Sequence, residues 1–124
     1  MMNALLQDQD NKPPGYAIVH DTMGDIEAIH VFGELDIYSA AEFEGEINAL
    51  PQSTRAVVVD FTACRYFDST VIAVLVRARW RWAERFAVVV PRGGNAERVL
   101  RVCGFDDMIE PSLSAACQKV QART

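Results

Sequence analysis

Two apolar runs, "RAVVVD" (Arg55–Asp60) and "FAVVVP" (Phe86–Pro91), carry no polar alternation. A strand with one wet face alternates apolar and polar residues. A run without that period is a central strand covered on both faces, or one lying in a parallel sheet. The chain between the runs is long enough for a helix, and "STVIAVLVRARWRW" has the period for one. Val71, Leu75, Ala78 and Trp82 recur at i, i+4, i+7 and i+11 and define a buried stripe. Strand, helix, strand is therefore the pattern at the centre of the chain.

The flanks extend it. "YAIVH" (Tyr16–His20) and "DIEAIHVFG" (Asp25–Gly33) predict a hairpin with its turn in "DTMG". "SAAEFEGEINAL" places Ser39 and Glu42 in capping-box spacing, with Phe43, Ile47 and Leu50 at helical intervals before Pro51. A further helix is expected from Asn95 to Cys103, stopped by Gly104. "MIE" predicts a short edge strand, and Leu113, Ala116, Cys117 and Val120 mark a last helix. The expected fold class is α/β: a mixed sheet with an opening antiparallel hairpin, then βαβ units, with helices packed on it. Residues 1–14 read as a flexible extension ending in "KPPG", and 15–124 as one domain, the number that 124 residues support.

Charge narrows the function classes. Up to Asp60 there are eleven acidic and two basic residues; from Phe61 onward there are six acidic and ten basic. Seven arginines fall between Arg77 and Arg101. A chain of net charge −5 repels a phosphate backbone at long range, and no zinc-finger or aromatic-basic RNA signature is present, so nucleic acid is not an expected partner. No apolar run approaches a membrane span and the N-terminus lacks signal-peptide regions, which predicts a cytoplasmic protein without membrane insertion. Cys64, Cys103 and Cys117 are expected to be reduced and mostly buried thiols.

Enzyme constellations are thin. His20 and His30 sit on predicted strands without metal-ligand spacing, and no Gly-x-Ser-x-Gly elbow surrounds Ser69 or Ser112. "PRGGN" could cradle an anion beside Arg92, but it lacks both a Walker lysine and GxGxxG spacing, and the plain strand–helix connection is the favoured reading. Asp60 ends a strand without the paired carboxylates of a phosphoacceptor. The expectation is a non-enzymatic chain with no cofactor or metal. One stretch stands out: Asp68, Ser69 and Thr70 in a row before an apolar helix, where one cap suffices. Either Asp68 or Ser69 is only an N-cap, or one hydroxyl does more. Ser69, Ala73, Val76 and Trp80 also share a helix face, flanked by Arg77 and Arg81. That face is either a partner surface or is covered by a neighbouring helix.

"HVFGELDIYSAAEFEGEI", "AVVVDFTACRYFDSTVIAVLV" and "AERVLRVCGFDDMIE" resemble, in order, the three landmarks of STAS domains. Over about Tyr16 to Gln121 they look most like stand-alone anti-sigma-factor antagonists. The resemblance implies a regulatory binding module that captures an anti-sigma serine kinase and is switched by phosphorylation at Ser69, with a serine phosphatase to reset it. It implies partner contacts from Asp36, Asp68 and Thr70, to which the helix face adds Ala73, Val76 and Trp80, and a monomer or weak dimer. The family commonly has glycine where this chain has Val71 and Ala73, which would either narrow a kinase's approach or mark a branch that binds without phosphorylation. Two alternatives stay open: a STAS subunit docking on a membrane transporter's cytoplasmic components, and a small-ligand or nucleotide sensor.

Overall fold

The computed structural model describes residues 15–123; the N-terminal extension expected over 1–14 lies outside the described residues. In chain order the elements are β1 (Tyr16–Met23), β2 (Ile26–Leu35), α1 (Ile37–Asn48), β3 (Ala56–Phe67), α2 (Ser69–Trp82), a 3-10 turn (Ala83–Arg85), β4 (Phe86–Val89), α3 (Asn95–Val102), β5 (Ile109–Glu110) and α4 (Leu113–Ala122). The sheet runs in the same order, β1-β2-β3-β4-β5. β1 pairs antiparallel with β2, and every later pair is parallel.

That order dictates where the helices lie. Each parallel step needs a crossover, and right-handed crossovers that all step in one direction put their helices on one face. The main core is accordingly on that face, where Phe43 and Ile47 of α1, Val71, Leu75 and Trp82 of α2, and Leu100 of α3 pack on Ile29, Val57, Val59, Phe61 and Val88. Phe61 is its aromatic hub, with ring centroids 6.0 Å from Phe43 and 4.8 Å from Phe67. α4 follows the last strand and is free to fold back under the second face. There Ala116 and Val120 cover Ile26, Ala56, Val58, Ala87 and Val89. Both faces of β3 and β4 are thus buried, as their unbroken apolar runs predict.

Three local expectations change. The hairpin turn is Gly24–Asp25, not the four residues of "DTMG", because Asp21 and Thr22 stay in the ladder opposite Ala28 and Glu27. α1 begins two residues before Ser39. Its N-cap is Asp36, whose carboxylate accepts from the Tyr38 and Ser39 amides, while the Asp36 amide donates to Ser39 Oγ. Ser39 is therefore the third-residue partner of a capping box, and Glu42 instead accepts from the Tyr16 hydroxyl. Among the cysteines, Cys64 and Cys117 are half-buried but Cys103 is exposed, because it caps the end of α3 at the surface.

β3 runs on to Phe67, well past the six-residue apolar run, and gains two residues on β2 through register shifts after His30 and after Gly33. Asp60 supports the first shift: its Oδ1 accepts from the Thr62 amide at 2.9 Å and the Thr62 hydroxyl at 2.6 Å, and its Oδ2 lies 2.9 Å from His30 Nδ1. Gly33 has φ 86°, and a Cβ there would stand 2.2 Å from the Gly15 carbonyl, which accepts the Glu34 amide. The glycine of "GELD" is thus needed by the backbone. Replacing it strains a left-handed residue and drives a methyl into that carbonyl.

Gly33→Ala is expected to lower unfolding free energy by about 2 kcal/mol or more in urea titration. Gly45→Ala, on an α1 position with open space around it, is expected to raise it by roughly 0.5–1 kcal/mol.

Candidate functional site

The carboxyl ends of β2 and β3 lie side by side, with Leu35 registered against Phe67. The residue after each is an aspartate that starts a helix, Asp36 for α1 and Asp68 for α2. Adjacent strands stand about 4.8 Å apart, so the register brings two capped helix N-termini to one edge of the sheet. Residues 32 apart in sequence become neighbours there.

At the second start, Asp68 Oδ1 accepts from the Thr70 amide at 3.0 Å and from the Thr70 hydroxyl. Asp68 and half-buried Thr70 are therefore tied to each other. Ser69 is exposed, and among the described residues its hydroxyl has no hydrogen-bond partner. This separates the three residues of "DST": the aspartate caps, the threonine braces the cap, and the serine is left free at the positive end of the helix. Val71 is wholly buried in the core, and Ala73 is half-buried.

At the first start, Asp36 is exposed, and its three side-chain bonds, from the Tyr38 and Ser39 amides and from Ser39 Oγ, all go to Oδ1. Oδ2 is left without a partner among the described residues. Those donors, the Ser39 amide foremost, hold the Asp36 carboxyl below the usual carboxylate range. Around it stand Tyr38, 86% exposed, Tyr66, 56% exposed, and Ile37, 60% exposed. Sequence reasoning missed these aromatics. The signal was present: Tyr38 lies five residues before Phe43, off the stripe of Phe43 and Ile47 that α1 buries.

The far end of α2 is a separate place. Trp80 is 79% exposed but lies eleven residues from Ser69, about 16 Å along the helix. Val76, between them, packs against the core, so the expected apolar ridge is interrupted. The flanking arginines are engaged: Arg77 pairs with Glu44 of α1, Nη2 at 3.0 Å, and Arg81 lies over the Trp82 ring, 4.1 Å from its centroid. The structure thus brings Asp36, Asp68, Ser69 and Thr70 together, and leaves Trp80 apart beside Cys103 and Met108.

The "PRGGN" loop is self-occupied. The Gly93 amide donates to Glu97 Oε1 at 2.7 Å, and Arg101 Nη2 holds Glu97 Oε2 at 2.9 Å. These two partners, the Gly93 amide first, hold the Glu97 carboxyl below its ordinary value. Among the described residues no group of three or more histidine, cysteine or acidic side chains could hold a metal ion, and no helix is long and apolar enough to cross a membrane.

Residues 20–110 match the family model described as "Mlab, STAS domain". No curated protein sequence matches the chain. Among solved structures, an anti-sigma factor antagonist from Mycobacterium paratuberculosis is similar at 23% identity and TM-score 0.78, over 89% of this chain and 97% of that one. The phosphorylated form of the Bacillus cell fate determinant SpoIIAA is similar at 16% identity and TM-score 0.67, over 84% and 99%. The murine anion transporter Slc26a9, in its inward-facing state, is similar at 12% identity and TM-score 0.63, over 82% of this chain and 18% of the transporter.

The lowered Asp36 carboxyl fixes the sign of a pH effect. A group with a depressed folded pKa stabilises above its unfolded pKa and loses that contribution as pH falls through the folded one. The melting-temperature gap between wild type and Asp36→Ala should therefore be full at neutral pH, and should shrink as pH is taken below about 4.

Proposed function

This chain belongs to the STAS domain family, and from that premise we propose that it is a cytoplasmic, non-enzymatic anti-sigma-factor antagonist. It captures an anti-sigma serine kinase at the carboxyl edge of the sheet and is released when Ser69 is phosphorylated. The observation that carries the reading is the division of labour in Asp68–Ser69–Thr70. The two neighbours are locked in the cap, while the serine is exposed and its hydroxyl has no partner among the described residues.

A kinase would pass the γ-phosphoryl of ATP to Ser69 Oγ, with the hydroxyl proton leaving to a base on the kinase. The product adds about −1.5 to −2 charges beside Asp68 and within reach of Asp36. At the start of α2 that charge meets the positive end of the helix dipole, so the fold tolerates it. A partner that places an acidic or apolar surface against this edge is repelled. Val71 points its side chain into the core, so the valine in place of the family's glycine adds no bulk on the docking side. Only half-buried Ala73 adds any. A metal-dependent serine phosphatase would restore the hydroxyl. Asp36, Asp68 and Thr70 shape the docking edge. Ala73 and the solvent side of Val76 lie between this edge and exposed Trp80, which offers a second, separate contact at the far end of α2.

A second reading, a STAS subunit docking on a transporter's cytoplasmic components, has its support in the likeness to part of an anion transporter. The two readings diverge in one assay. With the kinase encoded nearest to this chain's gene and ATP, intact mass should rise by one phosphate on wild type and not on Ser69→Ala. Ser69→Asp should weaken kinase capture at least tenfold, about 1.4 kcal/mol, with an unchanged melting temperature. Unaltered capture by Ser69→Asp, together with recovery of a transporter ATPase in pull-downs, would favour the second reading. Trp80→Ala should lower kinase affinity severalfold while the melting temperature barely moves, as its exposure requires. A cooperative loss of folding would make it a structural residue instead.

A further inference from the structure

β3 outruns one of its neighbours. Its pairing with β4 ends at Asp60 opposite Val89, yet it continues to Phe67 with β2 alone beside it. On the β4 side of this overhang the chain has already left its strand, and after Pro91 it turns into α3. The overhang and the helix do not close on each other. Between them a cleft of about 230 Å³ stays open, walled by Cys64, Tyr66, Phe67, Pro91, Ala96 and Val99.

Those walls are two aromatic rings, a pyrrolidine, two aliphatic side chains and a thiol. Cys64, Phe67 and Ala96 also pack against the main core, and the Phe67 ring stands 4.8 Å from that of Phe61, so the floor of the cleft is core surface. The Cys64 thiol donates to the Tyr66 carbonyl at 3.3 Å, and burial pushes its pKa up, which makes it a neutral wall. Polar side chains at the rim are turned elsewhere. Arg65 Nη2 lies 3.6 Å from Glu34, and Asn95 Oδ1 accepts from Arg98 Nη2 at 3.2 Å. On the other side of the glycine loop, Glu97 takes the Gly93 amide. A charged ligand would lose water here and gain no counter-charge from the walls.

Volume sets the size of the occupant. An apolar cavity of about 150 Å³ binds benzene, and drug-sized ligands need roughly 300 Å³ or more. At about 230 Å³ the cleft falls between them, too small for a nucleotide. Planar rings pack best on the faces and edges of Tyr66 and Phe67.

We infer that this cleft binds a small, neutral, planar apolar molecule of one or two rings, with indole as the matching size. The inference goes beyond the proposed function and does not depend on it.

The full-length chain, labelled with ¹⁵N, should be titrated with indole and, separately, with indole-3-carboxylate. Indole should shift the amides of Cys64–Phe67 and Asn95–Val99, saturating with a Kd of roughly 0.1–1 mM. Amides at exposed Trp80 and Val102 should stay still. The carboxylate should bind more weakly than indole. Ala96→Phe and Val99→Phe each place a ring in the cleft from the same side of α3. Each should weaken indole binding at least tenfold, and the same spectra report that the variant is folded. No saturable shift at the cleft amides would overturn the inference. Equal shifts at Trp80 and Val102 would do so by revealing a generally adhesive surface, and tighter binding of the carboxylate by making this an anion site. Undiminished binding by either variant in its folded form would place the ring elsewhere and overturn it as well.

Discussion

Parallel pairing of β2, β3 and β4 is the constraint from which the rest follows. Strands that all point one way end on one edge, so the helices that follow them all begin there. Helix starts carry unpaired amides and positive dipole ends. A sheet of this order therefore gathers polar, anion-favouring positions along a single edge without any dedicated loop. What holds the pairing is burial on both faces. Ala56, Val57, Val58 and Val59 are fully covered, the odd positions by α1 and α2 and the even ones by α4. A one-residue slip would exchange the two sets against cores of different shape.

Within that edge the chain treats its two leading helix starts differently. At α2 the cap is closed upon itself, with Asp68 and Thr70 satisfying each other and Ser69 left exposed. At α1 the cap satisfies the helix through one carboxylate oxygen, and the other has no partner among the described residues and lies beside three tyrosines. A third start, at α3, answers its own need: Glu97 turns back to the Gly93 amide, and Arg101 neutralises the carboxylate. Of these three, the first two leave a polar group exposed, and they are the two that the Leu35–Phe67 register sets side by side.

Much of this was legible from spacing. The unbroken apolar runs identified central strands, and the stripe of Val71, Leu75, Ala78 and Trp82 came out buried residue for residue. Less legible were features decided by competition between equivalent local solutions. Ser39 and Asp36 both satisfy capping chemistry, and Asp36 prevailed because its carboxylate reaches two amides while Ser39 can still return a bond. Asp21 and Thr22 look like turn residues, yet eight rungs of pairing with β2 kept them in the strand. The ridge from Ser69 to Trp80 is continuous in sequence phase. It was broken because Val76 found core to pack against, which no periodicity reveals.

By itself the sequence determined which segments are strands and helices, which side chains are driven inward, and that Asp68, Ser69 and Thr70 begin a helix. These are matters of period and local bonding, and they need no knowledge of neighbours. Only the tertiary structure decided that Asp36 and Ser69 share an edge, that Glu97 fills the glycine loop, and that Tyr16, Tyr38 and Tyr66 wall one cleft. Those facts depend on strand register and crossover handedness, which join residues tens of positions apart and leave no trace in local spacing.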